Sequence, residues 1–122
     1  MRYLLIAIFL LALADTSRAD EWTDGDTSRQ LAFSGLTVID CIQSRDIVKH
    51  PDKYYEAWNP VLPRHPTMGQ LNTVCAISLV FNPIVAYLLP TDLRHIWQYA
   101  WIVGETGAVY HNAVIVGMKV PL

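Results

Sequence analysis

Residues 71–89 read LNTVCAISLVFNPIVAYLL, and this stretch decides the fold. It lies inside a run of 25 residues, from Thr67 to Thr91, that contains no charged side chain. A helix needs about 20 predominantly apolar residues to cross the hydrocarbon core of a bilayer, so the stretch is long enough for a membrane span. Thr67 and Gln70 have the spacing of a capping box, and Pro90 ends the apolar run. The sequence therefore predicts a helix between these residues.

A second apolar segment, from Ile96 to Met118, follows after the short connection PTDLRH. Because the connection is short, the two helices should form an antiparallel hairpin. Aromatic residues, which are enriched at the boundary between membrane and water, cluster around it: Tyr87, Trp97, Tyr99 and Trp101. Asn82 and Pro83 interrupt the first segment, and a membrane bundle tolerates such a pair as a kink. The alternative is an aromatic cluster buried in a water-soluble helical bundle.

The segment from Asp26 to His50 also has a helical pattern. Its uncharged run, from Gln30 to Ile39, is only ten residues long, so it predicts either a short tilted span or an amphipathic surface helix. On a helical wheel one stripe is polar or small: Gln30, Ser34, Thr37, Cys41 and Ser44. The opposite side is apolar: Leu31, Val38, Ile39 and Ile42.

The N-terminus has the order of a secretory signal. Arg2 precedes eleven apolar residues, Leu4 to Ala14, and Ser17-Arg18-Ala19 offers a small-x-small cleavage site. The sequence predicts a signal peptide over residues 1–19, with an uncleaved signal anchor as the alternative. Residues 20–122 then form a single helical domain that begins outside the cytoplasmic membrane.

Charge is scarce, at 16% of residues, and the formal net charge is −2. Neither value favours binding to nucleic acid. Four basic residues lie in or next to a proline-rich segment at 49–69: Arg45, Lys49, Lys53 and Arg64. Residues 20–26 contain four acids and no base. Since basic loops stay in the cytoplasm, the proline-rich segment is expected there, in a bacterial inner-membrane protein; the alternative location is the periplasm. Arg94 counts against this topology as a base on the outer turn, but it is one base against the four around the segment.

Candidate site residues fall into three groups. Small residues four apart predict a helix-packing face: Ala100, Gly104 and Ala108. Polar side chains within the apolar segments are expensive in lipid and therefore face a bundle interior or a partner: Asp40, Gln98, Glu105, His111 and Asn112. The proline-rich segment contributes the residues of a loop motif: His50, Glu56, Asn59, Pro60 and His65.

No spacing matches a strong metal signature or a nucleophile motif, so neither a metal site nor a cofactor is predicted. The two cysteines, Cys41 and Cys75, are expected as free thiols if they lie at the inner end of membrane helices. In a periplasmic bundle they would more readily form a disulfide.

Several short matches together carry a resemblance: ID at 39–40, QSRDI at 43–47, HPDKYYE at 50–56, NPVL at 59–62, HP at 65–66, LP at 89–90, WQY at 97–99, Glu105 and Asn112. With them the chain resembles a family of small uncharacterised membrane proteins of proteobacteria and their phages, whose motif is Y-Y-E-x-N-P-x-L-G-x-H-P. The chain departs from it at Ala57-Trp58, where the motif has one residue, and at Pro63, where it has glycine. The resemblance implies a membrane protein, with a phage or prophage origin, and no catalytic residues.

The sequence thus predicts an all-α membrane bundle: a signal segment and three helices, the last two forming a hairpin. The expected function is non-enzymatic. The protein is expected to contact membrane lipid and to bind either a membrane or envelope protein or a second copy of the chain. The alternatives are an intramembrane acid/base or metal-dependent enzyme using Glu105 with Asp40, His50 or His111, and a proton or ion path through Glu105.

Overall fold

A computed structural model describes residues 21–57 and 59–115 of the chain. Every regular element in this part is helical: α1 (Asp24–Lys49), α2 (Met68–Leu88), α3 (Thr91–Tyr110) and a π-helical turn (His111–Ile115). The predicted all-α class and its three helices are confirmed. The predicted signal segment, residues 1–19, lies outside the described residues.

Capping boxes start the first two helices. In α1 the Thr23 side chain accepts a hydrogen bond from the Asp26 amide, and the Asp26 carboxylate accepts one from the Thr23 amide. In α2 the predicted box is present, because the Gln70 amide donates to Thr67 Oγ1 and the Thr67 amide donates to Gln70 Oε1. Each box satisfies amide groups that a helix start leaves without partners.

The three helices run up, down and up, with α1 packed against both of the others. Arg29 reaches Gln98 of α3 at one end of the bundle, and Gln43 reaches Asn112 at the other, so α1 and α3 are parallel. Only Leu89 and Pro90 separate α2 from α3, and the two helices form the predicted antiparallel hairpin. Between these two helices contact is sparse, so α1 supplies most of the packing.

A disulfide joins Cys41 of α1 to Cys75 of α2, across a Cα–Cα distance of 6.3 Å. The expectation of free thiols is therefore wrong. Cys41 is on the polar or small stripe of α1, which turns toward the bundle interior, and this orientation brings its sulfur to α2.

The interior of the bundle contains many polar side chains beside a small apolar core, while large apolar side chains are exposed on the helices. The buried apolar residues are Phe33, Ile47, Leu71, Val85, Ala86, Leu89 and Ala108. The buried polar residues are Asp26, Gln30, Thr37, Gln43, Ser44, Glu56, Asn82, Arg94, Gln98 and Asn112. The exposed large apolar residues on the helices and the π-helical turn form what we call the apolar belt: Leu31, Val38, Ile77, Val80, Phe81, Ile84, Tyr87, Leu93, Ile96, Tyr99, Trp101, Val103, Tyr110 and Val114. The number of buried polar side chains and the extent of exposed apolar surface both depart from the pattern of a water-soluble domain, whose core is mostly apolar.

In the described part of the chain, α2 alone is long and apolar enough to cross a membrane by its length and composition. The second predicted span, Ile96 to Met118, corresponds to most of α3, which is not apolar enough. Polar side chains along the helix lower its mean hydropathy: Arg94, His95, Gln98 and Glu105. Residues 116–118 of the predicted span lie outside the described residues. The membrane bundle therefore stays a proposal.

Candidate functional site

The end of the bundle where α1 begins is held together by Arg94 and Asp26. Arg94 Nη1 lies 3.0 Å from Asp26 Oδ2, and both side chains are 1% exposed. The same guanidinium donates to the backbone carbonyls of Ala86 and Leu89 at the end of α2. Because the last carbonyls of a helix have no partner within it, Arg94 caps α2 while it joins α3 to α1.

Asp26 is the centre of this network. Burial alone would raise its pKa, but hydrogen bonds from the Thr23 amide, Arg29, the Thr23 hydroxyl and Arg94 outweigh burial and hold the pKa of Asp26 well below its usual range. Gln98 Nε2 donates to the Asp26 backbone carbonyl at 3.0 Å. We assign this cluster a structural role, because its bonds cap α1 and α2 and join α3 to both of them.

The position of Arg94 corrects the sequence analysis, which took it as a base on an outer turn. The side chain is buried and paired, and its guanidinium also lies over the Trp22 ring, 5.2 Å from the centroid. One sequence feature could have identified the pair of Arg94 and Asp26. Arg94 is the single basic residue of a long apolar segment, and the residues at the start of α1 contain several acids and no base that could pair with them.

The middle of the bundle contains a smaller polar layer. Gln30 Nε2 donates to Asn82 Oδ1 at 3.0 Å, and Trp97 Nε1 donates to the Asn82 backbone carbonyl at 3.3 Å. Pro83 follows Asn82 inside α2. The predicted kink site is thus also a point where α1 and α3 both bond to α2.

A second polar cluster lies toward the other end of the bundle, and three carboxyl groups from separate elements form what we call the acidic cluster: Asp40 of α1, Glu56 of the loop and Glu105 of α3. Their charges are close enough to act on one another. Glu56 is buried, and Ser44 Oγ donates to its carboxylate at 3.3 Å. The proline-rich segment therefore folds back so that one carboxylate enters the bundle.

Amide side chains fix the orientation of this cluster. Asn112 Nδ2 lies 3.1 Å from Asp40 Oδ1 and 3.3 Å from Gln43 Oε1, so it can donate to both. Asn112 belongs to the π-helical turn. π-Helical turns are rare in proteins, and those that occur are often found at functional sites. Glu105 Oε2 is buried and has no hydrogen-bond partner.

The acidic cluster differs from the Asp26 network in the charges that surround it. Asp26 forms ion pairs with Arg29 and Arg94, and His95 Nε2 lies 3.4 Å from its Oδ1, whereas the charges that act on Asp40 are other carboxylates. Across residues 21–57 and 59–114, no group of three or more His, Cys, Asp or Glu side chains is arranged to hold a metal ion. Two carboxylates of the acidic cluster accept hydrogen bonds, Asp40 from Asn112 and Glu56 from Ser44.

The polar residues that were predicted within the apolar segments lie in two different clusters of the bundle. Asp40, Glu105 and Asn112 converge at the acidic cluster, whereas Gln98 joins the Asp26 network. His111 lies beside Asn112 on the π-helical turn.

Of the loop motif, Glu56 alone reaches the acidic cluster. His50 ends α1, and its amide donates to the Asp46 carbonyl. Asn59 Oδ1 accepts from the amides of Val61 and Leu62, while Pro60 and His65 are exposed. These residues shape the loop. The sequence analysis missed Gln43 and Ser44 as site residues, although Ser44 was on the predicted polar stripe.

Two of the three residues of the predicted packing face lie on the surface of the bundle. Ala100 and Gly104 are exposed, and a Cβ placed on Gly104 would meet no atom within 4 Å. Ala108 is buried. Ala100 and Gly104 therefore do not pack inside the bundle, because α3 turns Gln98 and Asn112 toward α1. A packing role for the two small residues stays a prediction that needs a second chain.

A cavity of about 190 Å³ opens between α2 and α3, where the two helices have little contact. Apolar and aromatic side chains line most of it, including Phe33, Phe81 and Trp101. Asp40, His50, Glu105 and His111 do not line it. The arrangement that the enzyme alternative requires, with those side chains around one cavity, is not found there.

Comparison of the chain with family models, with curated proteins and with solved structures finds no match in any of the three. The resemblance given by the loop motif therefore stays an expectation.

Proposed function

We propose that the protein is a small, non-enzymatic module embedded in a bacterial envelope membrane, where it binds a second protein through an exposed helix face. The observation that carries the proposal is the apolar belt around an interior that buries ten polar side chains. Water-soluble monomers rarely expose apolar surface on this scale, whereas helices in lipid place apolar side chains outward.

The length of the apolar belt along the axis of α1 supports membrane insertion. On α1 the exposed residues between Arg29 and Arg45 are Leu31, Ala32, Gly35 and Val38, none of which is polar. At 1.5 Å per residue, the two arginines are separated by about 24 Å along the helix axis. This is shorter than the roughly 30 Å of a typical hydrocarbon core, and a short span is accommodated by local thinning of the bilayer or by side chains that reach the interface.

The proposed compartment is the inner membrane, with the periplasm as the alternative. The disulfide favours a chain that reaches an oxidising compartment. It counts against a cytoplasmic position for the proline-rich segment, because Cys41 lies only about two turns from the end of α1. Arg94, in contrast, does not count against that position, because its charge is neutralised by Asp26.

The proposed binding face combines small residues of two parallel helices. Gly35 of α1 and Gly104 of α3 are both exposed, and a Cβ placed on either glycine would meet no atom within 4 Å. Small exposed residues allow another helix to approach closely in lipid, where packing and hydrogen bonds drive association. The proposed partner is a membrane or envelope protein or a second copy of this chain, and lipid covers the rest of the belt.

Gly104→Leu tests the binding face, because the added side chain points into open space and leaves the fold of the single chain intact. We expect the variant to unfold at the same temperature in detergent as the wild type but to lose its protein partner. The measurement combines thermal unfolding with co-purification in mild detergent, including co-purification of two differently tagged copies.

Val103→Leu is the matched control, since Val103 is the adjacent exposed residue and the change adds one methylene group on the belt. It should keep both stability and partner. If Gly104→Leu retains the same partners as Val103→Leu, the binding face is not the surface that contains Gly104.

A further inference from the structure

We propose that the end of the bundle opposite the Asp26 network binds the anionic headgroups of the phospholipids that surround it. We call this the basic end, and four exposed bases belong to it: Arg45, Lys49, Lys53 and Arg64. The inference rests on the proposed membrane insertion and deepens it, because it names the lipid chemistry that one end of the protein recognises.

The bases at the two ends of the bundle differ in their ion pairs. Arg29 and Arg94, at the opposite end, both pair with the Asp26 carboxylate. In the described part of the chain, none of the four bases of the basic end forms an ion pair with a carboxylate, although Asp46 and Asp52 are close in sequence. The positive charge of the basic end is therefore available to a ligand.

The surface charge of the bundle has opposite sign at its two ends. At the basic end the four bases face two acids, Asp46 and Asp52, because the carboxyl groups of the acidic cluster lie deeper in the bundle. The opposite end exposes the acids Glu21, Asp24 and Asp92, and both of its arginines are paired with Asp26. An anionic headgroup layer therefore attracts the basic end and repels the other.

The bases begin where the apolar belt ends. Along α1, Val38 is the last residue of the belt, and Arg45 is the next exposed residue. Tyr110 and Val114 extend the belt to the same end of the bundle, because α3 is parallel to α1. In a bilayer the headgroups lie directly outside the hydrocarbon core. If the belt faces lipid, the basic end lies at the depth of the phosphates.

Two of the bases lie over tyrosine rings. Lys53 Nζ is 5.2 Å from the centroid of the Tyr54 ring, and the Arg64 guanidinium is 4.3 Å from that of the Tyr55 ring. Tyrosine is enriched at the boundary between membrane and water, where its ring is apolar and its hydroxyl group reaches the headgroups. A cluster of about four to eight bases next to a membrane helix is typical of binding to anionic lipid.

Electron spin resonance of the full-length protein in lipid vesicles tests the proposal. One sample contains spin-labelled phosphatidylglycerol, which is anionic, and the other contains spin-labelled phosphatidylcholine, which has no net charge. Lipids in contact with a membrane protein lose mobility, so the immobilised fraction of each label measures its association. The wild type should show a several-fold preference for phosphatidylglycerol, and high salt should weaken it, because ions screen exposed charges.

Lys53→Gln/Arg64→Gln removes two of the charges at exposed positions and should lose much of this preference. Lys53→Arg/Arg64→Lys is the matched control, because it changes the same two side chains and keeps both charges. It should retain the preference of the wild type. Equal preference in the two double variants would overturn the assignment of these bases to the headgroups.

The other outcomes separate this inference from the proposed function. Immobilised phosphatidylcholine without an excess of phosphatidylglycerol would overturn the inference in favour of an acidic protein partner, and would leave membrane insertion standing. Absence of an immobilised fraction for both labels would overturn membrane insertion and the inference together. A preference that inorganic phosphate abolishes, but sodium chloride of equal ionic strength does not, would overturn lipid as the ligand in favour of free phosphate.

Discussion

Replacement of Arg94 with methionine is expected to lower the free energy of unfolding by about 3–5 kcal/mol, the range found when one partner of a buried ion pair is removed. The variant leaves the Asp26 carboxylate buried without its partner on α3, and it uncaps the carbonyls of Ala86 and Leu89 at the end of α2. Denaturant or thermal unfolding in detergent, followed by circular dichroism, measures the loss.

Arg64→Met is the matched control, because Arg64 is exposed and its guanidinium lies over the Tyr55 ring in the loop. Surface changes of this kind usually alter stability by about 0.5 kcal/mol or less. The double variant Asp26→Leu/Arg94→Met should recover part of the loss, because it removes the uncompensated charge. Equal stability of Arg94→Met and Arg64→Met would contradict the structural role of the Asp26 network.

The second large effect concerns the disulfide. The double variant Cys41→Ala/Cys75→Ala should lose about 2–4 kcal/mol of stability, since the cross-link closes a loop with a sequence separation of 34 and restricts the unfolded chain. Unfolding of the wild type with and without a reductant provides the comparison.

The reductant should lower the stability of the wild type by a similar amount and should have no effect on the double variant, which contains no cysteine. An unfolding midpoint that is the same in all four samples would show that the cross-link does not stabilise the fold.

The helices and the faces that they bury could be read from the sequence. The polar stripe that contains Gln30, Thr37 and Ser44 is buried, while Leu31 and Val38 are exposed. The polar residues of the last apolar segment, Gln98, Glu105 and Asn112, likewise identified the inner face of α3. These predictions succeeded because side-chain direction in a helix follows from its period alone.

The pairings between helices could not be read in the same way. Asp26 and Arg94 are separated by 68 residues, and Cys41 and Cys75 by 34. Local periodicity gives no register between such distant segments. Each residue alone had an ordinary interpretation: Asp26 as part of an acidic N-terminus, Arg94 as an exposed base, and the cysteines as free thiols.

The acidic cluster was predicted only in part for a related reason. Asp40, Glu105 and Asn112 were selected because polar groups in apolar segments are costly, but Glu56 was assigned to an exposed loop motif. Its burial depends on the path of the proline-rich segment, where the Glu56 amide donates to the Arg64 carbonyl. A contact of this kind follows from the tertiary fold and not from any pattern within the loop.

The central claim, that the apolar belt faces lipid, is tested most directly by spin labelling. Both cysteines of the chain are in the disulfide, so a nitroxide reacts with a single introduced cysteine at Val38, Val80 or Val103, one on each helix. In lipid vesicles each label should collide more often with oxygen, which concentrates in hydrocarbon, than with a water-soluble nickel chelate. A label at Lys53 in the loop should show the opposite preference, and a preference for the nickel chelate at all three belt positions would contradict the account.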